Sequence, residues 1–408
     1  MKGARHMGLF DFLKRKEPVI SSSEIQQDVR APLKPLYKEP ISSNVNQEVS
    51  AKTPFREISA EQDGPPSLSV LMKTAIQSKQ GLYPHEILML EYAPHFKTSN
   101  NTFQNFWYWQ YSVTDPQSVL DSLLERGFTK VGDLRSALEK RKLPEIKEEL
   151  KQLDQKVTGR KSELIDRLIE FGNLATLNQK YSERYYELTA KGEKELKENQ
   201  YVSYLHRNKF MTVWEMNQRI AQTHYPYRDI LWRYFNEQSE FHFRNFDFGL
   251  YRNTRLNMYQ FLMEENKPKT AFHMLCEVLS FDLSGLSNGD KSLFEWEKSN
   301  PELYLMVYES RSEYFFPYQE TTLIIPPAVS ASFAEMQGTF GLDDEEYRKA
   351  LLKELQQVHP PRRIFTDEEC ADIVIADIHN DTDTLSVIYK KAEKREKARL
   401  KEIKAIVK

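Results

Sequence analysis

Residues 144–169 read Pro144-Glu145-Ile146-Lys147-Glu148-Glu149-Leu150-Lys151-Gln152-Leu153, a loop from Asp154 to Gly159, then Arg160-Lys161-Ser162-Glu163-Leu164-Ile165-Asp166-Arg167-Leu168-Ile169. Ile146, Leu150 and Leu153 recur at i, i+4 and i+7, the spacing that lines one face of a helix. Pro144 suits a first turn, where a missing N–H is no loss. Leu164, Ile165, Leu168 and Ile169 form a second apolar face. The spacing predicts a helix–loop–helix, with Gly159 letting a backbone come close to the start of its second helix. The amides at that start favour phosphate oxygens, and Arg160, Lys161 and the flanking Lys156 add positive charge there.

The string Gly159-x-Lys161-x-x-Leu164-x-x-Arg167-Leu168, with Glu145 to Leu150 ahead of it, resembles the SAP motif. The resemblance implies binding of double-stranded DNA through backbone and minor groove, often with an A·T-rich preference. That mode reads groove width and deformability more than base edges. The DNA-binding residues it implies are Lys156, Gly159, Arg160, Lys161 and Arg167. Arg167 fits either a contact or a structural ion pair. One departure stands out: SAP motifs usually carry Gly-Leu just after the first helix, where this chain has Asp154-Gln155. The missing Leu removes a core side chain that Val157 can replace in part. Upstream, Val131 to Leu138 looks like another SAP first helix, a lead-in helix or an alternative register. From Lys130 to Phe171 there are 11 Lys/Arg against 9 Asp/Glu, so the module binds only if its cations are grouped.

Outward from this module, Asp115 is an N-cap with Pro116 at N1, and Val119, Leu120, Leu123 and Leu124 share a face. Gly127 ends that helix, and Phe128-Thr129-Lys130 forms a short strand. Further on, Tyr186-Glu187-Leu188-Thr189-x-x-Gly192 reads as a strand, a cap and a new helix. The two stretches resemble the outgoing and returning strands of a winged-helix protein, with the SAP module inserted between them. Earlier, Leu68 to Ile76 and Pro84 to Tyr92 are helical, and the aromatics Phe106 to Tyr111 read as core. Glu17 to Pro66 has no apolar period and reads as a disordered tether.

Beyond about Tyr201 the chain is helical and aromatic. Asp247 to Asn266 and Lys267 to Leu283 read as a TPR-like pair, of which one unit is visible. Phe241 to Phe248 interleaves aromatics with polar groups, as core or as a stacking surface. Thr366-Asp367-Glu368-Glu369 is a capping box. The tail from Tyr389 to Lys408 holds nine Lys/Arg against three Glu. The wider pattern, with Leu250 to Met258 after the SAP unit, resembles SAP-domain proteins of Gram-positive bacteria and their phages.

The expected fold is mainly α: a winged-helix-like N-terminal domain with an inserted SAP helix–loop–helix, then an α-helical, TPR-like C-terminal region. The expected divisions are 1–66 disordered, 67–200 winged-helix-like with the insertion at 131–171, 201–290 helical and TPR-like, and 291–408 helical with a basic tail. A net charge of −3 confines any attraction to nucleic acid to local patches. The two cysteines, Cys276 and Cys370, are too few for a thiolate zinc site or a disulfide framework. No apolar run reaches the roughly 20 residues that span a bilayer. Met7 to Leu13, followed by Lys14-Arg15-Lys16, is too short and wrongly ordered for a signal peptide. A cytoplasmic protein is therefore expected.

Asp377-x-His379-x-Asp381-x-Asp383 is the best metal-like spacing, and also a set of turn residues at a helix end. His85-Glu86 lacks the second histidine of a zincin helix. The reading is a non-enzymatic DNA-binding adaptor without a cofactor, recruiting a protein partner through its C-terminal helical region. The alternatives are a metal-dependent nuclease and an interaction scaffold that has lost DNA binding.

Overall fold

A computed structural model describes residues 64–99, 101–286, 299–311 and 323–407. The expected tether at 1–66 lies outside them except for its last three residues, as does the stretch from Met7 to Leu13. Nineteen α-helices and one two-stranded sheet make up the described residues.

The first helices are α1 (Leu68–Thr74), α2 (Pro84–Tyr92), α3 (Phe106–Tyr111) and α4 (Pro116–Glu125). The Asp115 carboxylate accepts the amides of Gln117 and Ser118 and fixes the start of α4. At its end the Phe128 amide bonds the Leu123 carbonyl at 2.9 Å, a Schellman-type closure. Phe128 therefore belongs to the helix cap, and strand β1 runs Thr129–Val131, one residue later than the sequence suggests.

Strand β1 pairs antiparallel with β2 (Tyr186–Leu188), in the register Thr129 to Leu188, Lys130 to Glu187 and Val131 to Tyr186. Between the strands lie α5 (Leu134–Glu139), α6 (Leu143–Gln152), α7 (Lys161–Phe171) and α8 (Leu174–Lys180). Helix α9 (Ala190–Glu198) follows β2 directly, with Thr189 accepting the Gly192 amide at its start. A Cβ on Gly192 would lie 2.3 Å from the Phe128 carbonyl oxygen, so only glycine lets α9 sit this close to the cap of α4.

The rest of the body is helical: α10 (Gln200–Asn208), α11 (Val213–Thr223), α12 (Tyr227–Arg244), α13 (Phe248–Glu264) and α14 (Pro268–Asp282). After them come α15 (Pro301–Arg311), α16 (Pro327–Phe340), α17 (Asp344–Leu355), α18 (Asp367–Ile378) and α19 (Thr382–Val407). The α13–α14 pair falls where the apolar spacing put it, and Thr366 caps α18 through the Glu369 amide. One continuous apolar cluster runs from Leu82 to Ala392 and joins α2, α4, β2, α10 to α14 and α15 to α19. The inserted helices keep a separate core of nine buried residues.

Inside the body, two arginines are buried in pairs with carboxylates. Arg252 grips the Asp282 carboxylate at 2.7 and 2.8 Å. Arg362 meets Glu396 at 3.1 Å, and the buried Tyr308 hydroxyl donates to the same carboxylate oxygen at 3.0 Å. Each of these charges has a partner, as burial away from water requires.

Candidate nucleic-acid interface

The module closes around Leu134, Leu138, Ile146, Leu150, Leu164, Ile165, Leu168, Leu177 and Tyr181, with Leu153, Val157 and Ile169 at the margin. Val157 packs at the margin of this core. Asp154 takes a left-handed φ of 53° in the turn after α6, a conformation that aspartate tolerates better than most residues. The Gln155 amide then closes the helix on the Leu150 carbonyl at 2.8 Å. Asp154-Gln155 thus closes α6 through a left-handed turn.

Ion pairs hold the outer helices to the inner two. Arg135 on α5 pairs with Asp166 on α7, and Lys180 on α8 pairs with Glu149 on α6. Tyr181 donates to Glu149 at 2.9 Å, and burial together with that carboxylate pushes its hydroxyl pKa up. At the base, Lys97 of the body and Arg141 of the module share Glu183, at 2.5 and 3.2 Å. These two cations hold the Glu183 carboxyl below its usual range, the hydrogen bond from Lys97 contributing most.

The sequence-derived site residues divide into two groups. The Lys161 ammonium donates to the carbonyl oxygens of Glu139 at 2.6 Å and Arg141 at 2.5 Å. It ties the start of α7 to the end of α5 and the entry of α6. Arg167 donates to the Lys156 carbonyl and, at 3.5 Å, to that of Thr158, so its guanidinium holds the loop. The expected ion pair of Arg167 is not seen among the described residues; its guanidinium bonds backbone carbonyls instead. Gly159 has φ +135°, and a Cβ there would stand 2.6 Å from a Glu163 carboxylate oxygen. That carboxylate accepts the Arg160 amide at 3.1 Å. The next amides of α7, at exposed Ser162 and Glu163, have no intrahelical partner, as in any first turn.

Lys156 and Arg160 are exposed, and neither is in an ion pair among the described residues. Lys142, which the motif does not single out, is also exposed and stands as the N-cap of α6. Because Lys161 bonds the Arg141 carbonyl, Lys142 and Arg160 lie at the same end of the module. The lead-in helix α5 and the closing helix α8 complete the core. Leu177 and Tyr181 were the part missed from sequence, although Leu174 to Tyr181 carries the same apolar spacing.

The other candidate clusters serve the fold. His379 pairs with Asp344 at 2.9 Å, and Asp381 accepts the amide and hydroxyl of Thr384 at the start of α19. Among the described residues no three His, Cys, Asp or Glu side chains converge as a metal site. His85 is buried and stacks on Trp214, and burial, with Arg126 nearby, pulls its pKa down to about 4. Glu86 pairs with Arg126 and caps α2 through the Tyr83 amide. Cys276 and Cys370 are both buried, and burial pushes the Cys370 thiol up to about 12. Trp107 and Tyr111 are core residues, while Tyr108 and Trp109 are exposed. Of the second aromatic run, Phe248 packs with Tyr251 and Phe281, and Phe241 and Phe246 are exposed. No helix among the described residues is long and apolar enough to cross a membrane.

Residues 137–172 match the SAP domain, which starts in α5 and ends after α7. The SAP domain is a DNA-binding motif, so the match supports a general DNA-binding role for the chain. No curated protein matches the chain.

Proposed function

We propose that this protein is a DNA-binding adaptor, and that it contacts duplex DNA through the end of the SAP module where α6 and α7 begin. The observation that carries the reading is the pair of hydrogen bonds that Lys161 donates to the Glu139 and Arg141 carbonyls. It draws two helix starts together and leaves exposed Lys142 and Arg160 beside them. Positive helix ends and exposed cations at one place suit phosphate oxygens. Lys156, on the loop that Arg167 holds, extends the same charge. Contact through phosphates and minor groove, with an A·T-rich preference, is the mode we assign to it. Lys161 and Arg167 act in this reading by shaping the module, and Gly159 by giving the backbone access.

The paired strands that carry the module give it a winged-helix-like mount, and the duplex runs past both. The α13–α14 pair, TPR-like in arrangement, and the helices after it recruit a protein partner. The protein performs no catalytic step in this role and works in the cytoplasm. Titrating A·T-rich and G·C-rich duplexes at several salt concentrations tests the reading. Lys142→Glu with Arg160→Glu should weaken binding at least about tenfold and lower the salt slope by about 2, at roughly 0.9 for each phosphate that is no longer neutralised. Salt-independent binding, or an unaffected double variant, overturns it.

A further inference from the structure

Helix α19 sorts its charges by face. Lys390, Lys394, Lys397, Lys401 and Lys404 follow one another at steps of four and three residues, and all five are exposed. At about 100° per residue they fall within an arc of roughly 80°. The opposite side carries Leu385, Ile388, Tyr389 and Ala392, all buried, with Leu400, Ile403 and Val407 packed against the body. The arginines of the helix do not join the lysine row. Arg395 is bonded to Glu369 and the Ile364 carbonyl, and Arg399 to Glu396 and the Tyr304 hydroxyl. Glu396 itself is buried against Arg362, so it does not neutralise the outer face. Glu393 meets Lys397 at 2.5 Å at the surface, a pair of the kind that contributes little in water.

We infer that this row of lysines is a second duplex-DNA contact, gripping phosphates on a surface separate from the SAP module. The inference rests on the reading of the protein as a DNA binder but on different residues. The row is about 21 Å long at 1.5 Å per residue. A duplex carries one negative charge per ~1.7 Å of axis, so a stretch of that length holds more phosphates around its circumference than the row has lysines. A lipid surface is the poorer match. An interfacial helix needs its apolar face free to enter the headgroups, and that face of α19 is packed into the body. Lysine, a mobile point charge, suits sequence-independent attraction, whereas the helix keeps its forked guanidiniums for fixed internal partners.

The experiment uses the full chain and duplexes of one length, with Lys390, Lys394 and Lys401 all replaced by Gln. Glutamine keeps helix propensity and removes charge alone, and a thermal melt checks that the fold is retained. The expected result is a salt slope lower by about 2 to 3 and an affinity loss of at least about tenfold at low salt. The same three positions changed to Arg should keep the wild-type slope. An unchanged slope and affinity in the Gln variant overturn the inference, whatever Lys142→Glu with Arg160→Glu does. Loss of binding in the Gln variant, with no effect of that pair, supports the lysine row and overturns the SAP contact instead. If the wild-type chain binds no duplex, both fall. If the Gln variant keeps duplex binding but loses binding to anionic phospholipid vesicles, the row faces lipid and the inference fails.

Discussion

The inserted module and the body around it use charged side chains in opposite ways. In the body, arginines and carboxylates meet in the interior, as Arg252 does with Asp282 and Arg362 with Glu396. A continuous apolar cluster surrounds them. In the module, nine buried residues are the whole core, and charges work at its edge. There Lys161 and Arg167 bond backbone carbonyls, and Arg135 and Lys180 lash the outer helices on. The exposed pairs of Arg135 and Lys180 contribute little in water, whereas Lys161 and Arg167 spend their donors on backbone carbonyls. Two of the motif's cations are therefore part of the frame. The surface charge open to a ligand sits on their neighbours Lys142, Lys156 and Arg160.

Three substitutions sharpen this contrast. The largest effect is expected in the body. Glu396→Ala leaves Arg362 buried without its partner and should cost about 3–5 kcal/mol, read as a lowered main transition in calorimetry. A loss under about 1 kcal/mol would show that the pair is not a structural element of the body. Next, Leu150→Ala opens the module core and should cost about 2–5 kcal/mol locally. Hydrogen exchange should then speed up from α5 to α8 while α13 and α14 stay protected. Equal loss of protection in both would mean that module and body unfold as one unit. The smallest effect is expected for Lys161→Met, which keeps the stem and removes the donors. We expect a loss of about 1–3 kcal/mol confined to the module. Duplex binding should survive it at temperatures where the module stays folded. Loss of binding by a folded Lys161→Met variant would make Lys161 a contact after all.

Helices α6 and α7 of the module were legible because their apolar residues recur at helical spacing. The same holds for the Asp115 and Thr366 caps and for the α13–α14 pair, each set by residues within a few positions of one another. Strand β1 came out one residue late because Phe128 completes a helix cap through a bond to Leu123, a competition that a strand propensity does not register. The His379 cluster looked metal-like in sequence because alternation brings the side chains near in number. In space His379 faces Asp344, thirty-five positions away, and Asp381 faces Thr384.

The sequence alone determined that a helix–loop–helix with the SAP pattern stands at this place, because periodicity, turn residues and motif spacing are all local properties. It also placed the basic residues in number, nine of them between Tyr389 and Lys408. Only the tertiary structure decided which cations are spent. Lys161 is held by carbonyls from two other segments, and Arg395 and Arg399 are drawn into pairs with Glu369 and Glu396. Lys390, Lys394 and Lys401 of α19 are exposed on the outside. A cation's partner depends on what the fold brings within about 3 Å of its head group, and residues far apart in the chain supply it.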